Sequence, residues 1–595
     1  MSKEPIVRRI AIVGAGQAAL CLAVSLQRTP GYEVTFVTDR SAQEIRQGPI
    51  LASQVLFGPA LDGEAAAGVA TWTDEAPDIR DLVLTLGTAQ GDAPPATMRA
   101  PLEFAARSVD LRLKTSTWLE QLESLGARVL TQHTEVADLE ALAAGHDLVV
   151  VASGKGALGE GFERDEGRTR AEGATGRELA VALVRPVGRD VVGDLTVQMR
   201  AGEGELFRYP MLTANGVGEV VMIEGITRDG AGAGGDGAGA GPVAASGLAA
   251  ALRALRESGD ATAEQVLAVA AEFFPEQATD LAGAVALDEG AVTLGRVRAR
   301  VNKPVGTLPS GATVLGLGTA VVTTEPLFSA PSNNAALAAD YYRTAIVRRG
   351  AEPFDDEWKR KTFESFWRGW AKWTVQWVGG LLDGLTDTQQ QLIRDAVDLP
   401  GVAAAIAEMV EDPRTAHQWW YNDDEARVLV EQARADQRAG IDARDLRAAF
   451  GRYATGVTVV TTRNAAGVDV GVTANSFTSV SIDPPLVLWC PQLTSTSLPA
   501  FEEADHFCIN VLTAAQLPVS RQMSVSGSTE KFKGVDIERG RGGVPVILGS
   551  AATFQCRVVA RYDAGDHRIH VGEVEEYSWN EEPPLGFLGG RYTGV

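Results

Sequence analysis

Cysteine, histidine, positive charge and long apolar runs are what this chain is short of, and each shortage removes a class of protein. Its 595 residues hold four cysteines, Cys21, Cys490, Cys508 and Cys556, with no CxxC or other metal-ligand spacing. That excludes a disulfide framework and a cysteine metal site, and points to free thiols in a reducing cytoplasm. No unbroken apolar stretch approaches the ~18 residues that a membrane span needs. The N-terminus passes from Lys3, Arg8 and Arg9 straight into a strand-like run, so no signal peptide is read there. Lys+Arg number 54 against Asp+Glu 77, a net charge of −23. Such a field repels nucleic acid and anionic membranes and leaves small molecules as the expected partners. Of six histidines, His506, His567 and His570 lie in the last 90 residues, so histidine chemistry is expected there.

What is present is enough chain for three or four domains, at roughly 100–200 residues each. Residues 8–40 read strand, Gly-rich turn, helix, strand, the opening of a βαβ unit. Within it, Val13-Gly14-Ala15-Gly16-Gln17-Ala18-Ala19 is a dinucleotide fingerprint. Gly14 makes the tight turn, Gly16 lets backbone amides approach a pyrophosphate, and Ala19 lets the helix pack on the strand. The pyrophosphate belongs at the positive end of that helix. Asp39, followed by Arg40, ends the next strand, where such folds place an acidic residue for a ribose; a solvated strand end is the plain alternative. The fingerprint alone leaves FAD and NAD open. Two later strand ends, Ser153-Gly154-Lys155-Gly156 and Gly316-Leu317-Gly318-Thr319, stand where two-domain flavoproteins close over FAD.

Asp229 to Gly241 is almost all Gly and Ala and reads as a flexible surface insertion. Residues 355–436 are mostly helical and carry seven of the eleven tryptophans. Trp367, Trp370, Trp373 and Trp377 are spaced to share one helix face, either for helix packing or to line an aromatic substrate site. The chain turns charged from Glu431 to Asp442, where the domain junction is placed. Beyond it, short β-branched runs alternate with Gly, Asn and Pro turns: Val457–Thr462, Val468–Ser481, Leu486–Trp489, His506–Leu512, Ala552–Tyr562 and Arg568–Trp579. That is the pattern of a β-barrel or sandwich.

These N-terminal segments, with Val34–Arg40, Arg107–Leu113 (which holds Arg112), Asp147–Val150 and Leu315–Gly318 through Pro326 and Asn333, carry a resemblance. Residues 1–435 resemble the oxygenase component of two-component styrene and indole monooxygenases, which use externally supplied reduced FAD. Three positions depart from that family. Thr319 stands where the family has an Asp bonding the flavin ribityl chain. Ser329-Ala330-Pro331 replaces a Gly-Gln-Gly turn, and Ala52, beside Ser53, replaces an active-site Asn. At ~1 kcal/mol per net hydrogen bond, these changes predict weakened or altered FAD binding.

In the C-terminal part, Phe450–Val460, Val472–Ser481 with Asp483-Pro484-Pro485, Phe507–Leu512, Lys531-Phe532 and Gly565–Gly572 form an ordered set. Residues 445–595 resemble the short-chain flavin reductases that serve two-component monooxygenases. The resemblance places the isoalloxazine against Thr473, Ala474, Asn475 and Ser476, and the phosphate near Ser479, Ser481, Ser495 and Ser497 with Lys531 as its positive partner. It places His567 near the stacked nicotinamide and lets Arg591 and Tyr592 close the pocket; a structural histidine and a solvated tail are the plain alternatives. The cofactor carries the hydride chemistry, so little acid–base help is demanded of the protein.

The expected fold is an α/β Rossmann-like FAD-binding domain (1–170 and 290–350) with a mixed-sheet substrate domain (171–289), a helical Trp-rich segment (351–436) and a linker (437–444). An all-β split-barrel flavin reductase domain (445–595) follows. The resemblance implies a self-sufficient enzyme. NADH, rather than NADPH, reduces FAD on the C-terminal domain, with FMN the other flavin open there. The N-terminal domain then uses reduced FAD and O2, through a flavin C4a-hydroperoxide, to epoxidise a small apolar aromatic such as styrene or indole. Ala52, Ser53 and Asn333 are its expected active-site residues, and no metal is called for. A homodimer through the reductase domain is implied as well. Two alternatives stay open: a different oxygenated product, and an N-terminal half that only binds flavin or docks a separate monooxygenase.

Overall fold

The computed structural model describes residues 7–87, 95–154, 156–169, 176–200, 202–227, 247–382, 384–439, 443–525 and 531–594. The chain divides into two compact units, Met1–Ala435 and Asp436–Val595. The Gly/Ala stretch 229–241 lies outside the described residues, as do residues 440–442 of the expected linker. The helix Asp423–Ala439 runs into that linker's first positions.

The first unit holds two large sheets. One has six strands in the order Val305–Thr307, Thr313–Gly316, Leu148–Val151, Arg8–Val13, Tyr32–Thr38, Arg128–Thr131. All neighbours are parallel except the first pair. Its central strands, Ile10–Val13 and Leu148–Val151, are buried along their whole length, as a parallel sheet covered on both faces requires. The helix Gln17–Arg28 buries every residue from Gln17 to Leu26 against it.

The other sheet has eight strands. Gly176–Arg185, Gly216–Thr227, Gly204–Thr213 and Leu195–Arg200 form its antiparallel centre. Ile79–Gly87 and Ala96–Ala106 extend it on one side, and Val292–Val297 pairs with Gly176–Arg185 on the other. Three of these strands fall in stretches the sequence reading gave to the nucleotide-binding domain. The reason is visible in the alternation of Ile79–Gly87, where Leu82, Leu84 and Leu86 are buried and their neighbours are not. A half-covered antiparallel sheet accepts that pattern; a parallel sheet between two helix layers does not.

The tryptophan-rich stretch runs Asp356–Phe366, then a π-helical turn Trp367–Ala371, then Lys372–Leu382. The π turn shifts the phase, so the four tryptophans do not form the single α-helical face that their spacing predicts. Trp370 donates its indole N–H to Asn334 at 2.8 Å, and Trp377 stacks on Phe328 with ring centroids 5.1 Å apart. Both are buried packing groups.

The second unit is β-rich. Seven antiparallel strands run in the order Asp469–Ala474, Thr458–Arg463, His506–Val511, Ala552–Ala564, His567–Trp579, Pro485–Trp489, Thr478–Ile482. The predicted single run Val468–Ser481 is two strands, broken at Asn475–Phe477. Three short helices, Ala443–Phe450, Leu498–Glu503 and Leu517–Met523, make "all-β" too strict. Among the described residues no helix is long and apolar enough to cross a membrane, and no group of His, Cys, Asp or Glu is placed to hold a metal ion.

Candidate functional site

The strand Arg8–Val13 ends in Gly14, whose φ of +119° is open to glycine and strained for other residues. Gly16 caps the following helix, and a Cβ built there meets nothing within 4 Å. The helix N-terminus thus has free space in front of it, with unpaired backbone N–H groups facing it. A narrow cavity of about 80 Å³ joins Gly16, Gln17, Ala18 and Ala19 to Gly318, Thr319, Pro331 and Asn334. Gly318 has φ +56°, with Ala18 against it.

A larger cavity of about 1120 Å³ shares Thr319 and Pro331 with the narrow one. Ala52, Ser53, Gly154, Pro326 and Ser329 line it, together with apolar Leu51, Leu179, Val181 and Met222. Residues from five separate regions of the sequence therefore meet here. The open helix end, the glycine backbones and two cavities that share Thr319 and Pro331 are features a dinucleotide site requires.

Asn333 stands behind the wall. Its side-chain amide donates to Val55 O (2.9 Å) and Ser329 O (3.0 Å), and its Oδ1 accepts from Phe57 N–H (3.1 Å). Ser329 Oγ accepts from Val55 N–H at 2.7 Å. These bonds pin the segment after Ser53 to the Ser329 turn. Phe328 and Ser329 are the non-glycine residues at positive φ among those described, at 48° and 55°. Each costs on the order of 1–2 kcal/mol, and such strain gathers at functional loops. Asn333→Ala leaves the Phe57 N–H buried without its acceptor, at about 1–3 kcal/mol. The expected outcome is a lowered urea midpoint for the first unit and a wider, less selective cavity, read by denaturation and by substrate competition. An unchanged midpoint would contradict this role.

Four expected cofactor residues of the first unit, Gly14, Asp39, Arg40 and Arg112, line neither cavity. Arg112 is buried and spends its guanidinium on Asp110, Asp288 and the Gly48 carbonyl. Asp39 and Arg40 face each other at the exposed end of their strand (3.7 Å). Sequence reading overlooked the arginines Arg164, Arg296, Arg298 and Arg300 on the large cavity. The alternation Arg296-Val-Arg298-Ala-Arg300 was the available signal.

In the second unit, Thr473 Oγ1 donates to Ser520 O at 2.6 Å, and Ser520 Oγ meets Tyr592 Oη at 3.0 Å. The C-terminal hairpin that carries Arg591 is thereby tied to the Thr473–Ser476 segment. Ser476 Oγ accepts from Cys490 N–H (2.9 Å), while Asn475 is exposed. His567 pairs with Asp566 (2.7 Å) and bridges Gln492, which brings it beside the segment holding Ser495 and Ser497. Ser479 and Ser481 stand on the edge strand. Lys531 departs from expectation. Its ammonium is buried and donates to the carbonyls of Gly471 and Met523, both at 2.9 Å. It clamps the chain there instead of facing solvent for a phosphate, and burial pushes its pKa down to about 8.

His570 is fully buried, and neither ring nitrogen has a hydrogen bond to a described residue. Burial first, then Arg561 and Arg568, push its pKa down to about 4. An unfolded histidine titrates near 6.5, so as pH falls the unfolded chain takes up this proton before the folded one. The second unit should therefore lose stability between about pH 6.5 and 4, by roughly 3 kcal/mol in all, with no effect above that window. Urea midpoints across that range check it, and His570→Gln should remove the slope.

Residues 450–595 match the family described as flavin reductase like domain, and residues 154–279 match the styrene monooxygenase A substrate binding domain. FMN reductase (NADH) SmoA of Agrobacterium fabrum is 48% identical over 153 residues, which span 26% of this chain and 86% of that protein. The reductase subunit HsaB of a flavin-dependent monooxygenase from Mycobacterium tuberculosis is 42% identical over 162 residues, 26% and 84% of the two chains. Among solved structures, the Streptomyces globisporus NADH:FAD oxidoreductase SgcE6 is 37% identical over 26% of this chain and 89% of its own, with a TM-score of 0.24. The chain thus belongs to the flavin reductase family through its C-terminal unit, and joins that reductase to a styrene monooxygenase A-type substrate-binding domain on one polypeptide.

Proposed function

We propose that the chain is a self-sufficient flavin monooxygenase. The C-terminal unit reduces FAD with NADH, and the N-terminal unit uses the reduced flavin and O2 to oxygenate a small apolar aromatic of the styrene or indole type, with an epoxide as the first product. The observation that carries this is the large cavity. Its Leu51, Leu179, Val181 and Met222 wall suits an apolar ring, and it shares Thr319 and Pro331 with the glycine-lined cavity at the helix N-terminus. Bound there, reduced flavin with O2 supplies the oxygen atom. The protein's part is to hold the substrate ring beside Ala52, Ser53 and Pro326 and to keep bulk water out. In the reductase, Thr473–Ser476 support the flavin and His567 borders the nicotinamide. The free cysteines and the nicotinamide donor suit the cytoplasm.

The purified full chain, given NADH, FAD, air and indole, should release oxygenated indole in proportion to NADH consumed. Hydrogen peroxide alone would sink the monooxygenase reading for that substrate. The second reading, a flavin-binding or docking half that supplies a separate monooxygenase, draws on Thr319 and on the Ser329 hydroxyl being spent on Val55. It requires that an added monooxygenase component restore the product.

Tyr577 and Trp579 are exposed side by side at the end of the strand His567–Trp579 of the C-terminal unit. We assign this face to a second copy of the chain, and light scattering should give the mass of a dimer.

A further inference from the structure

The eight-stranded sheet carries a buried charge cluster that the proposed reaction leaves unused. Arg177, Glu205 and Glu224 stand on neighbouring strands, and Glu325 reaches them from the segment before Pro326. All four are buried, and Arg177, Glu224 and Glu325 expose nothing. Side chains alternate across a strand, so Arg177 shares its face with Leu179 and Val181, and Glu224 shares its face with Met222. Those three line the large cavity, as do Pro326 and Ala299; the Ala299 N–H donates to Glu325 Oε1 at 3.3 Å. The cluster is the layer directly behind one end of the cavity.

Three carboxyls here face one guanidinium. Arg177 hydrogen-bonds Glu205 through both Nη atoms and meets Glu224 and Glu325 only through Nε, at 3.6 and 3.8 Å. Neither oxygen of Glu224 has a hydrogen bond to a described residue, although it lies opposite Glu205 in the strand register. With Glu205 and Glu224 both ionised against this one guanidinium, the interior would hold a negative charge with no hydrogen bond on either of its oxygens, and a buried group in that position neutralises itself. Glu205 keeps its charge because the guanidinium forks onto it. Glu224, without such bonds, takes the proton. Burial, then the fields of Glu205 and Glu325, push its pKa up to about 8 against the pull of Arg177. The other buried carboxyls of this sheet point to the opposite face, Glu178 with Arg253, Arg256 and Arg296, and Glu219 with Arg189 and Arg208. Tyr209, farther along its strand, is a buried phenol that burial holds neutral.

The reaction proposed above consumes one proton per turnover: NADH, H⁺, O2 and substrate give NAD⁺, oxygenated substrate and water. We propose that Glu224 rests as a carboxylic acid and supplies that proton, from its carboxyl oxygen through water in the cavity to the oxygen that leaves as water. Solvent then reprotonates it. Glu224 does not touch the reacting atoms; it acts through water, and its donor role rests on the monooxygenase reading.

The resting state is tested without flavin. The infrared difference between the full chain and Glu224→Gln at pH 7 should show one carboxylic-acid carbonyl band that disappears as pH rises through about 8. Absence of the band overturns the proposal. Glu224→Gln copies the shape of the acid but has no proton to give. It should keep the thermal midpoint and the NADH-dependent flavin reduction rate, while oxygenated indole per NADH falls about tenfold or more and peroxide rises. The yield of the unaltered chain should fall through about pH 8, and that of the variant should stay flat. Glu224→Asp, still titratable, should recover part of the yield. A variant with unaltered yield and pH profile overturns the donor role. If the unaltered chain oxygenates no indole, the donor role falls with the monooxygenase reading, and the infrared band alone decides the resting state.

Discussion

Replacing Gly154 with alanine is expected to abolish oxygen transfer while leaving NADH-dependent flavin reduction at its wild-type rate. A Cβ on Gly154 would lie 2.3 Å from the Thr319 carbonyl oxygen and 2.7 Å from its carbon, backbone atoms that no rotamer change moves aside. The Gly154 carbonyl is also held by the Arg300 guanidinium, so the clash cannot be relieved cheaply from that side. Thr319 lines both cavities, and pushing it away distorts the wall they share, where the proposed flavin site lies. The strain is on the order of 1–3 kcal/mol, enough to cost much of the affinity for reduced flavin. The reductase should not respond, because residues 436–595 form their own compact unit. Product per NADH and the NADH oxidation rate, measured on one preparation, separate the two. Full oxygenation by Gly154→Ala would show that the junction is not used.

The largest loss of stability is expected from Arg177→Met. Methionine fills much of the volume but leaves Glu205 without the guanidinium that forks onto it, and breaking a buried ion pair by removing one partner costs about 3–5 kcal/mol. The first unit's urea transition should move down by that amount while the second unit's stays in place. Lower pH should restore part of the loss, because the orphaned carboxyl then enters the core as a neutral acid. Glu224→Gln removes an already neutral group and should cost little. A loss below about 1 kcal/mol for Arg177→Met would mean that the cluster is not held by that ion pairing.

Several features of this molecule were legible in the sequence because they are local. The turn at Gly14 and Gly16 depends on glycine freedom at two positions and on a helix that begins at once. The β-rich character of residues 450–595 follows from β-branched runs cut by turns, and their motif order identifies a flavin reductase. Asn333, Ser53 and Pro326 were singled out by resemblance; Ser53 and Pro326 line the large cavity, and Asn333 stands behind its wall, bonded to Val55. Other positions misled because their role depends on what lies across space. Arg112 reads as a free cation near a nucleotide site, yet Asp288, 176 residues away, neutralises it. Lys531 reads as a phosphate partner, yet the carbonyls of Gly471 and Met523, brought beside it by the fold, accept its hydrogen bonds.

The sequence by itself determined the glycine turn after the first strand, the β-rich character of the second unit and the family of the reductase, since period, turn residues and motif order are properties of neighbouring residues. Only the tertiary structure decided that Ile79–Gly87 belongs to the substrate sheet, and that Arg177, Glu205, Glu224 and Glu325 meet in one dry layer behind the cavity. Glutamates scattered over 120 residues read singly as solvated surface. A buried charge is costly in proportion to how completely water is excluded and how few partners remain. Both quantities exist only after the strands have been paired.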